Sequence, residues 1–141
     1  MRRFSAHLIF TNVGPPLKNG IITTSDDGTV TDVEDTGSKF TEKPAVEFHD
    51  GIIIPGFVNC HCHLELSHMK GSIPEGAGLG AFLTTIQKKR KSDPETIISS
   101  ALSADIEMYK GGVDLCADIS NGSLIFPVKK KSNIHYFNFL E

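Results

Sequence analysis

Two histidines, His61 and His63, have the type and spacing that could support chemistry. They follow the run Phe57 to Cys60, which reads as a buried strand. Alternate side chains of a strand face the same way, so both imidazoles are predicted to leave one side and the flanking cysteines the other. Neutral imidazole is a good ligand for zinc and iron, and a catalytic site keeps one position free for water. The spacing therefore indicates half of an open metal site.

Two other interpretations of this segment need weighing. A closed structural zinc site using Cys60, His61, Cys62 and His63 is disfavoured, because an extended strand cannot aim four consecutive side chains at one ion. No second Cys-x-x-Cys or His-x-x-x-His pair accompanies it. A bare His-x-His is also typical of ordinary polar residues at the end of a strand. The flanking sequence therefore has to decide.

The first 50 or so residues predict β structure in short segments. Turn signals such as Asp26-Asp27-Gly28 separate them, and this spacing favours a small antiparallel sheet or sandwich. The predicted strands are Ala6 to Thr11, Asn19 to Ser25, Thr29 to Val33 and Ala45 to Phe48.

From residue 57 the pattern alternates between strands and helices. A loop over Gly71 to Gly80 precedes a helix whose apolar face carries Leu79, Phe82, Leu83 and Ile86. A second helix is predicted to start with a capping box of Ser92 and Glu95 and to end at Gly111-Gly112. Its predicted apolar face is Ile97, Ile98, Ala101, Leu102 and Met108. Strands at Val113 to Ile119 and Asn133 to Leu140 complete an alternation typical of a parallel sheet with crossover helices.

Composition narrows the class of protein. The 141 residues are 39% apolar and 22% charged with a formal net charge of −3, which suits a globular domain and gives no reason to expect nucleic acid or a membrane as partner. The basic runs Lys88 to Lys91 and Lys129 to Lys131 are interpreted as a solvated helix end and a solvated loop. Three cysteines make no disulfide framework, so a reducing cytoplasm is the expected compartment.

The segment around the two histidines resembles the first barrel strand of the amidohydrolase superfamily, in its cytosine deaminase, chlorohydrolase and aminodeoxyfutalosine deaminase branch. The residues that carry the resemblance are Ile54-Pro55-Gly56-Phe57-Val58-Asn59-Cys60-His61-Cys62-His63-Leu64-Glu65-Leu66-Ser67. Gly76-Ala77-Gly78-Leu79 with Phe82-Leu83 resembles the loop and helix that follow in that branch. The second strand of that branch is similar to Gly111-Gly112-Val113 to Asp118-Ile119-Ser120. Its third strand is similar to Tyr136-Phe137-Asn138-Phe139-Leu140-Glu141.

The resemblance implies a fold and a metal. Residues 1–56 would form a small β-sandwich domain, and residues 57–141 the first three strands of an incomplete (β/α)8 TIM-type barrel of the α/β class. A complete barrel needs roughly 250 residues, so about a third of one is present. His61 and His63 would bind a divalent metal, zinc first and iron as the alternative. The family's other ligands, two histidines and an aspartate, and its general acid/base lie on later strands that this sequence does not contain.

The expected function is hydrolysis of a C–N bond in a cyclic amidine or nucleobase-like small molecule, with deamination as the expected reaction, through a metal-activated water. Glu65, His68 and Glu141 are the candidate substrate-binding residues, and the catalytic residues are not identified. The isolated chain is expected to be inactive, with a second chain or a missing C-terminal part completing the barrel. A non-catalytic fragment, one half of a two-chain assembly and a homo-oligomer remain open.

Overall fold

The computed structural model describes residues 1–39, 43–76 and 78–141. It is a mixed α/β structure, which confirms the predicted class, and its contacts divide the chain into two units, Met1–Pro55 and Gly56–Glu141. Among the described residues, no helix has both the length and the apolar character needed to span a membrane. Ala77, one of the residues in the family resemblance, lies outside the described ranges.

The first unit contains one five-stranded sheet. Its strands are β1 (Arg2–Ile9), β2 (Leu17–Lys18), β3 (Ile21–Thr24), β4 (Val30–Glu34) and β5 (Val46–Ile53). They follow the order β2-β1-β3-β4, with β5 also paired to β1. Ser5, Ala6 and Ile9 of β1 are buried, so this strand is the centre of the unit.

The sheet is mixed, whereas the turn spacing had predicted an antiparallel one. β1 pairs antiparallel with β2 and β3 but parallel with β5. β5 also continues past Phe48, where the prediction ended it, and reaches Ile53. Gly51 permits this because its φ of 143° is rarely adopted by a residue with a side chain. The apolar residues Ile52 and Ile53 therefore belong to the first sheet.

The second unit contains a parallel three-stranded sheet with helices between its strands. Its elements are β6 (Phe57–Cys62), a 3-10 helix (Leu64–Met69), α1 (Gly78–Lys89), α2 (Pro94–Lys110), β7 (Val113–Ser120), α3 (Phe126–Lys131) and β8 (His135–Leu140). The strand order is β6-β7-β8, and both pairs are parallel, as the alternation of elements predicted. The β-sandwich, the barrel and the two domain assignments stay predictions.

Helix α2 begins one residue later than the capping prediction. Asp93, not Ser92, is the N-cap, and its side chain accepts hydrogen bonds from the backbone N–H groups of Glu95 and Thr96. Pro94 then occupies the first helical turn, where its missing N–H costs nothing. The capping box of Ser92 and Glu95 is therefore wrong, because an aspartate directly before the proline takes the capping position.

The core of the second unit is small and lies between α2 and the segment after β6. Leu64, Ala101 and Ile125 form it, and Cys62, Ile97, Ala104, Met108 and Tyr136 pack against it. Ile98 and Leu102, which the helical pattern assigned to the same face as Ala101, are 37% and 47% exposed. Helix α1 exists as predicted but contributes no buried residue. The apolar pattern identified α1 and α2 but overestimated the fraction of each helix surface that is buried.

Helix α3 is absent from the sequence prediction, and it overturns the interpretation of the second basic run as a solvated loop. Lys129, Lys130 and Lys131 form its last turn, and Lys129 is only 7% exposed. Its ammonium group forms an ion pair with Asp118, which is fully buried. A buried charge is tolerated when it is paired and hydrogen-bonded, and the sequence of the triplet does not reveal that partner.

Candidate metal centre

Strand β6 begins where its backbone comes very close to β7. A Cβ atom on Gly56 would lie 2.6 Å from the Cβ atom of Asp114, a separation that side chains do not tolerate. The next residue, Phe57, donates its backbone N–H to the carbonyl oxygen of Gly112 at 2.7 Å. The glycine of the Pro-Gly pair is therefore needed for the close approach that starts the histidine strand beside β7.

The rings of His61 and His63 lie next to each other at the other end of β6. Their centroids are 5.1 Å apart with an interplanar angle of 68°. A tetrahedral zinc ion holds imidazole nitrogens at about 2.0–2.1 Å, which would place two such ring centres roughly 5 Å apart. The backbone N–H of His61 is tied to the side-chain oxygen of Asn59 at 3.2 Å. The separation of the two ring centres is therefore that of two imidazole ligands on one ion.

By itself this pair would make only part of a metal site. In residues 1–39, 43–76 and 78–141, no group of three or more His, Cys, Asp or Glu side chains is placed to hold a metal ion. Two imidazoles leave a four-coordinate ion short of protein ligands.

The cysteines of the motif differ in their surroundings. Cys60 is exposed, Cys62 is half-buried and Cys116 is buried. Burial, together with the neighbouring Cys116 and Asp118, raises the pKa of the Cys62 thiol far above its usual range, and burial also raises the pKa of Cys116. Electrophiles react with the thiolate, so Cys62 and Cys116 are poor nucleophiles at neutral pH.

We therefore expect a single fast-reacting thiol in the native chain. At pH 8, Cys60 should react with a thiol reagent such as dithionitrobenzoate, while Cys62 and Cys116 should react only after denaturation, since a raised pKa leaves little thiolate. Time-resolved thiol titration measures this, with Cys60→Ser as the control that removes the fast phase. A fast phase that survives in Cys60→Ser would contradict the assignment.

A buried polar network lies directly behind the histidine segment. One oxygen of Asp118, Oδ1, accepts the backbone N–H of Leu64 at 2.7 Å, and the other accepts the hydroxyl of Ser120 at 3.0 Å. The ammonium group of Lys129 pairs with the same carboxylate and donates to Ser120 Oγ at 2.9 Å and to Asn138 Oδ1 at 2.5 Å. The Asp118 carboxylate and the Lys129 ammonium group thus together link the carboxyl ends of all three parallel strands.

Glu65 already has partners for both of its carboxylate oxygens. One lies 3.3 Å from the guanidinium of Arg90, just beyond α1, and the other accepts the backbone N–H of Asn121 at 3.1 Å. Arg90 also donates to the side chain of Asn121. These contacts favour a role in holding the 3-10 helix against the end of β7.

The other two candidate substrate-binding residues have different surroundings. His68 Nδ1 lies 3.1 Å from the carbonyl oxygen of Glu65, while its Nε2 is buried and has no hydrogen-bond partner in the part of the chain that the structure describes. Glu141 is exposed, and its backbone is bound to the end of β7 through Ser120 and Asn121. His68 is therefore the candidate with a ring nitrogen still to be satisfied.

Sequence reasoning missed Lys129, Ser120 and Arg90 as residues of this region. Lys129 and Arg90 each sit in a basic run that looks solvated, and nothing in their spacing points to a carboxylate partner. Asp118 entered the sequence analysis only among the residues that resemble the second barrel strand. A charged residue inside the apolar run of β7 was the one available signal that a buried partner exists.

The chain has relatives of known activity, although no family model matches it. It is 28% identical over 124 residues to the imidazolonepropionase of Serratia proteamaculans (strain 568), an alignment that covers 79% of this chain and 30% of the relative. It therefore spans about a third of the length of the curated protein it matches.

Solved structures show the same fold at low sequence identity. Helicobacter pylori aminofutalosine deaminase, in complex with methylthio-coformycin, is 21% identical with a TM-score of 0.82. The match covers 99% of this chain and 35% of the deaminase chain. Guanine deaminase from C. acetobutylicum with bound guanine is 17% identical with a TM-score of 0.73, covering 97% and 35%. Atrazine chlorohydrolase from Arthrobacter aurescens TC1, complexed with zinc, is 18% identical with a TM-score of 0.70, covering 98% and 35%.

Proposed function

The sequence relative and the structural neighbours indicate the amidohydrolase superfamily, of which this chain matches the N-terminal part, and from this premise we propose that it supplies half of the metal site of a hydrolase. The observation that carries the proposal is the pair of adjacent imidazole rings of His61 and His63, 5.1 Å apart at the end of the first parallel strand. The carboxyl ends of parallel strands are where α/β barrels gather their functional residues.

The proposed reaction is hydrolytic deamination of a cyclic amidine or nucleobase-like substrate. Two of the structural neighbours are named as deaminases, of aminofutalosine and of guanine, which supports this substrate class. A divalent metal, zinc first and iron as the alternative, supplies a water nucleophile at neutral pH when it is bound. His61 and His63 would hold that metal. Dechlorination is the nearby alternative, because a third neighbour is a chlorohydrolase.

Glu65, His68 and Glu141 are the proposed substrate contacts. His68 has the best support of the three, because its buried Nε2 lacks a partner among the described residues. Its Nδ1 donates to the carbonyl oxygen of Glu65, so in that tautomer Nε2 can accept a hydrogen bond from a bound molecule. Glu65 has the least support, since its two oxygens are already engaged by Arg90 and Asn121.

The proposed architecture is a small β-sandwich domain over residues 1–56 and the first third of a barrel over residues 57–141. Further polypeptide, in the same or a second chain, then brings the remaining ligands and the general acid/base. Apolar side chains on β6 and β8 support this, since Phe57, Val58, Phe137, Phe139 and Leu140 are exposed. A non-catalytic fragment is the alternative. A cytoplasmic location, a small-molecule substrate and neither nucleic acid nor membrane as partner belong to the same proposal.

Zinc titration of the 141-residue chain tests the metal site. We expect weak binding, because two imidazoles are an incomplete ligand set, and loss of that binding in both His61→Ala and His63→Ala. Isothermal titration calorimetry measures it. His135→Ala is the matched control, since His135 is an exposed histidine of β8 and should leave zinc binding unchanged.

Zinc binding that persists in both single variants, or that falls as much in His135→Ala, would remove the basis for the site. An assay against aminated purines and pyrimidines complements it: the isolated chain should show no turnover, and turnover would contradict the proposed incompleteness.

A further inference from the structure

We infer that Asp118 is a positioning residue for the metal pair, holding the backbone directly after His63 through the amide of Leu64. This inference rests on the proposed metal site. Asp118 belongs to a different strand from the histidines, and its carboxylate is fully buried. It touches no group that would react, so any effect on the metal must pass through the histidine segment, which it contacts on both sides of His63, at the Cys62 side chain and the Leu64 amide.

The strand pairing shows why the backbone after His63 needs a hydrogen bond from outside the regular ladder. Asn59 pairs with Cys116, and the next paired position on β6 is Cys62, opposite Asp118. Three residue steps on β6 therefore match two on β7, so the ladder carries an irregularity where Cys60 and His61 lie. Bulges of this kind re-aim side chains, and they also remove regular backbone hydrogen bonds. Beyond the irregularity, the 2.7 Å bond from Leu64 N–H to Asp118 fixes the chain again.

Asp118 can do this because two side chains from two elements hold its carboxylate. Ser120 of β7 donates to its second oxygen, and Lys129 of α3 forms an ion pair with it. Lys129 is anchored in turn by Asn138 of β8 at 2.5 Å. The carboxylate therefore has a fixed orientation, and so has the Leu64 amide that donates to it.

The chemistry of the ion pair between Asp118 and Lys129 separates a positioning role from a purely structural one. Well-packed apolar residues often replace a buried ion pair without loss of stability. An apolar side chain at position 118 could not accept the Leu64 N–H, however. The feature that only a carboxylate or an amide supplies here is an acceptor for the residue next to His63. A role limited to packing would not connect Asp118 to zinc affinity.

Two double variants isolate that acceptor. Asp118→Asn with Lys129→Met removes both charges but keeps an oxygen for the Leu64 N–H, whereas Asp118→Leu with Lys129→Met removes both charges and the oxygen. Zinc affinity should stay close to wild type in the first. In the second, the Kd should rise about 10-fold or more, the range found when partners of metal ligands are lost. Circular dichroism establishes that each variant is folded. Equal zinc affinities in the two folded variants would overturn the inference.

A measurement on the wild-type chain keeps the test decisive even if the leucine variant does not fold. Coupling between two sites is reciprocal, so zinc bound at the histidines should slow hydrogen exchange at the Leu64 amide. Exchange is followed by NMR, with the Phe57 amide, which donates to Gly112, as the internal control. Unchanged exchange at Leu64 on zinc binding would overturn the positioning role alone. Zinc binding that does not depend on His61 and His63 would overturn the proposed metal site and the positioning role with it.

Discussion

Replacing Asp118 by alanine is expected to lower the free energy of unfolding of the second unit by about 3–5 kcal/mol, because it leaves the buried Lys129 ammonium without its counter-charge. The backbone N–H of Leu64 loses its acceptor at the same time. Urea denaturation followed by tyrosine fluorescence measures this loss. Both tyrosines, Tyr109 and Tyr136, lie within residues 56–141, and the chain has no tryptophan, so the signal reports the second unit alone.

Two controls show whether burial is the cause. Glu107→Ala removes the carboxylate of another lysine pair, with Lys70, in which both side chains are exposed, and should not shift the denaturation midpoint measurably. Asp118→Leu combined with Lys129→Met removes both charges and should be clearly more stable than Asp118→Ala. A midpoint in Asp118→Ala that matches the Glu107→Ala control would show that the pair is not buried in solution.

Apart from helix α3, the main helices and strands of the second unit were predicted from the sequence, because their signals are local. The apolar run before the histidines, the helical spacing from Leu79 to Ile86 and the Gly111-Gly112 terminus each lie within one element, and each element exists. The adjacency of His61 and His63 is equally local, since it depends on two side chains of one extended segment.

The failures concern interactions between residues far apart in the chain. Lys129 was interpreted as solvated because its neighbours are lysines, yet its burial depends on Asp118 and Asn138, which only the fold brings together. The parallel partner of β1 is β5, more than 40 residues later, and turn spacing carries no information about that pairing. Glu65 was predicted to bind substrate, yet its carboxylate is engaged by Arg90 and Asn121, which lie 25 and 56 residues further along the chain.

The second large effect is expected at Leu64, the leucine that follows His63. Its side chain is 1% exposed and packs with Ala101 and Ile125, so Leu64→Ala should cost about 2–5 kcal/mol through lost burial and the cavity left behind. The same urea titration measures it. Leu79→Ala on α1 is the matched control, because Leu79 is 72% exposed and its truncation should change the midpoint little.

This variant also separates the two ways in which Leu64 is anchored. The alanine keeps the backbone N–H and hence the bond to Asp118, while it removes the side chain from the core. If the backbone bond is what positions His63, zinc affinity at low urea should fall much less in Leu64→Ala than in Asp118→Leu with Lys129→Met, although Leu64→Ala is the less stable protein. A zinc affinity that instead follows stability across the variants would mean that the metal pair depends on the core as a whole rather than on one hydrogen bond.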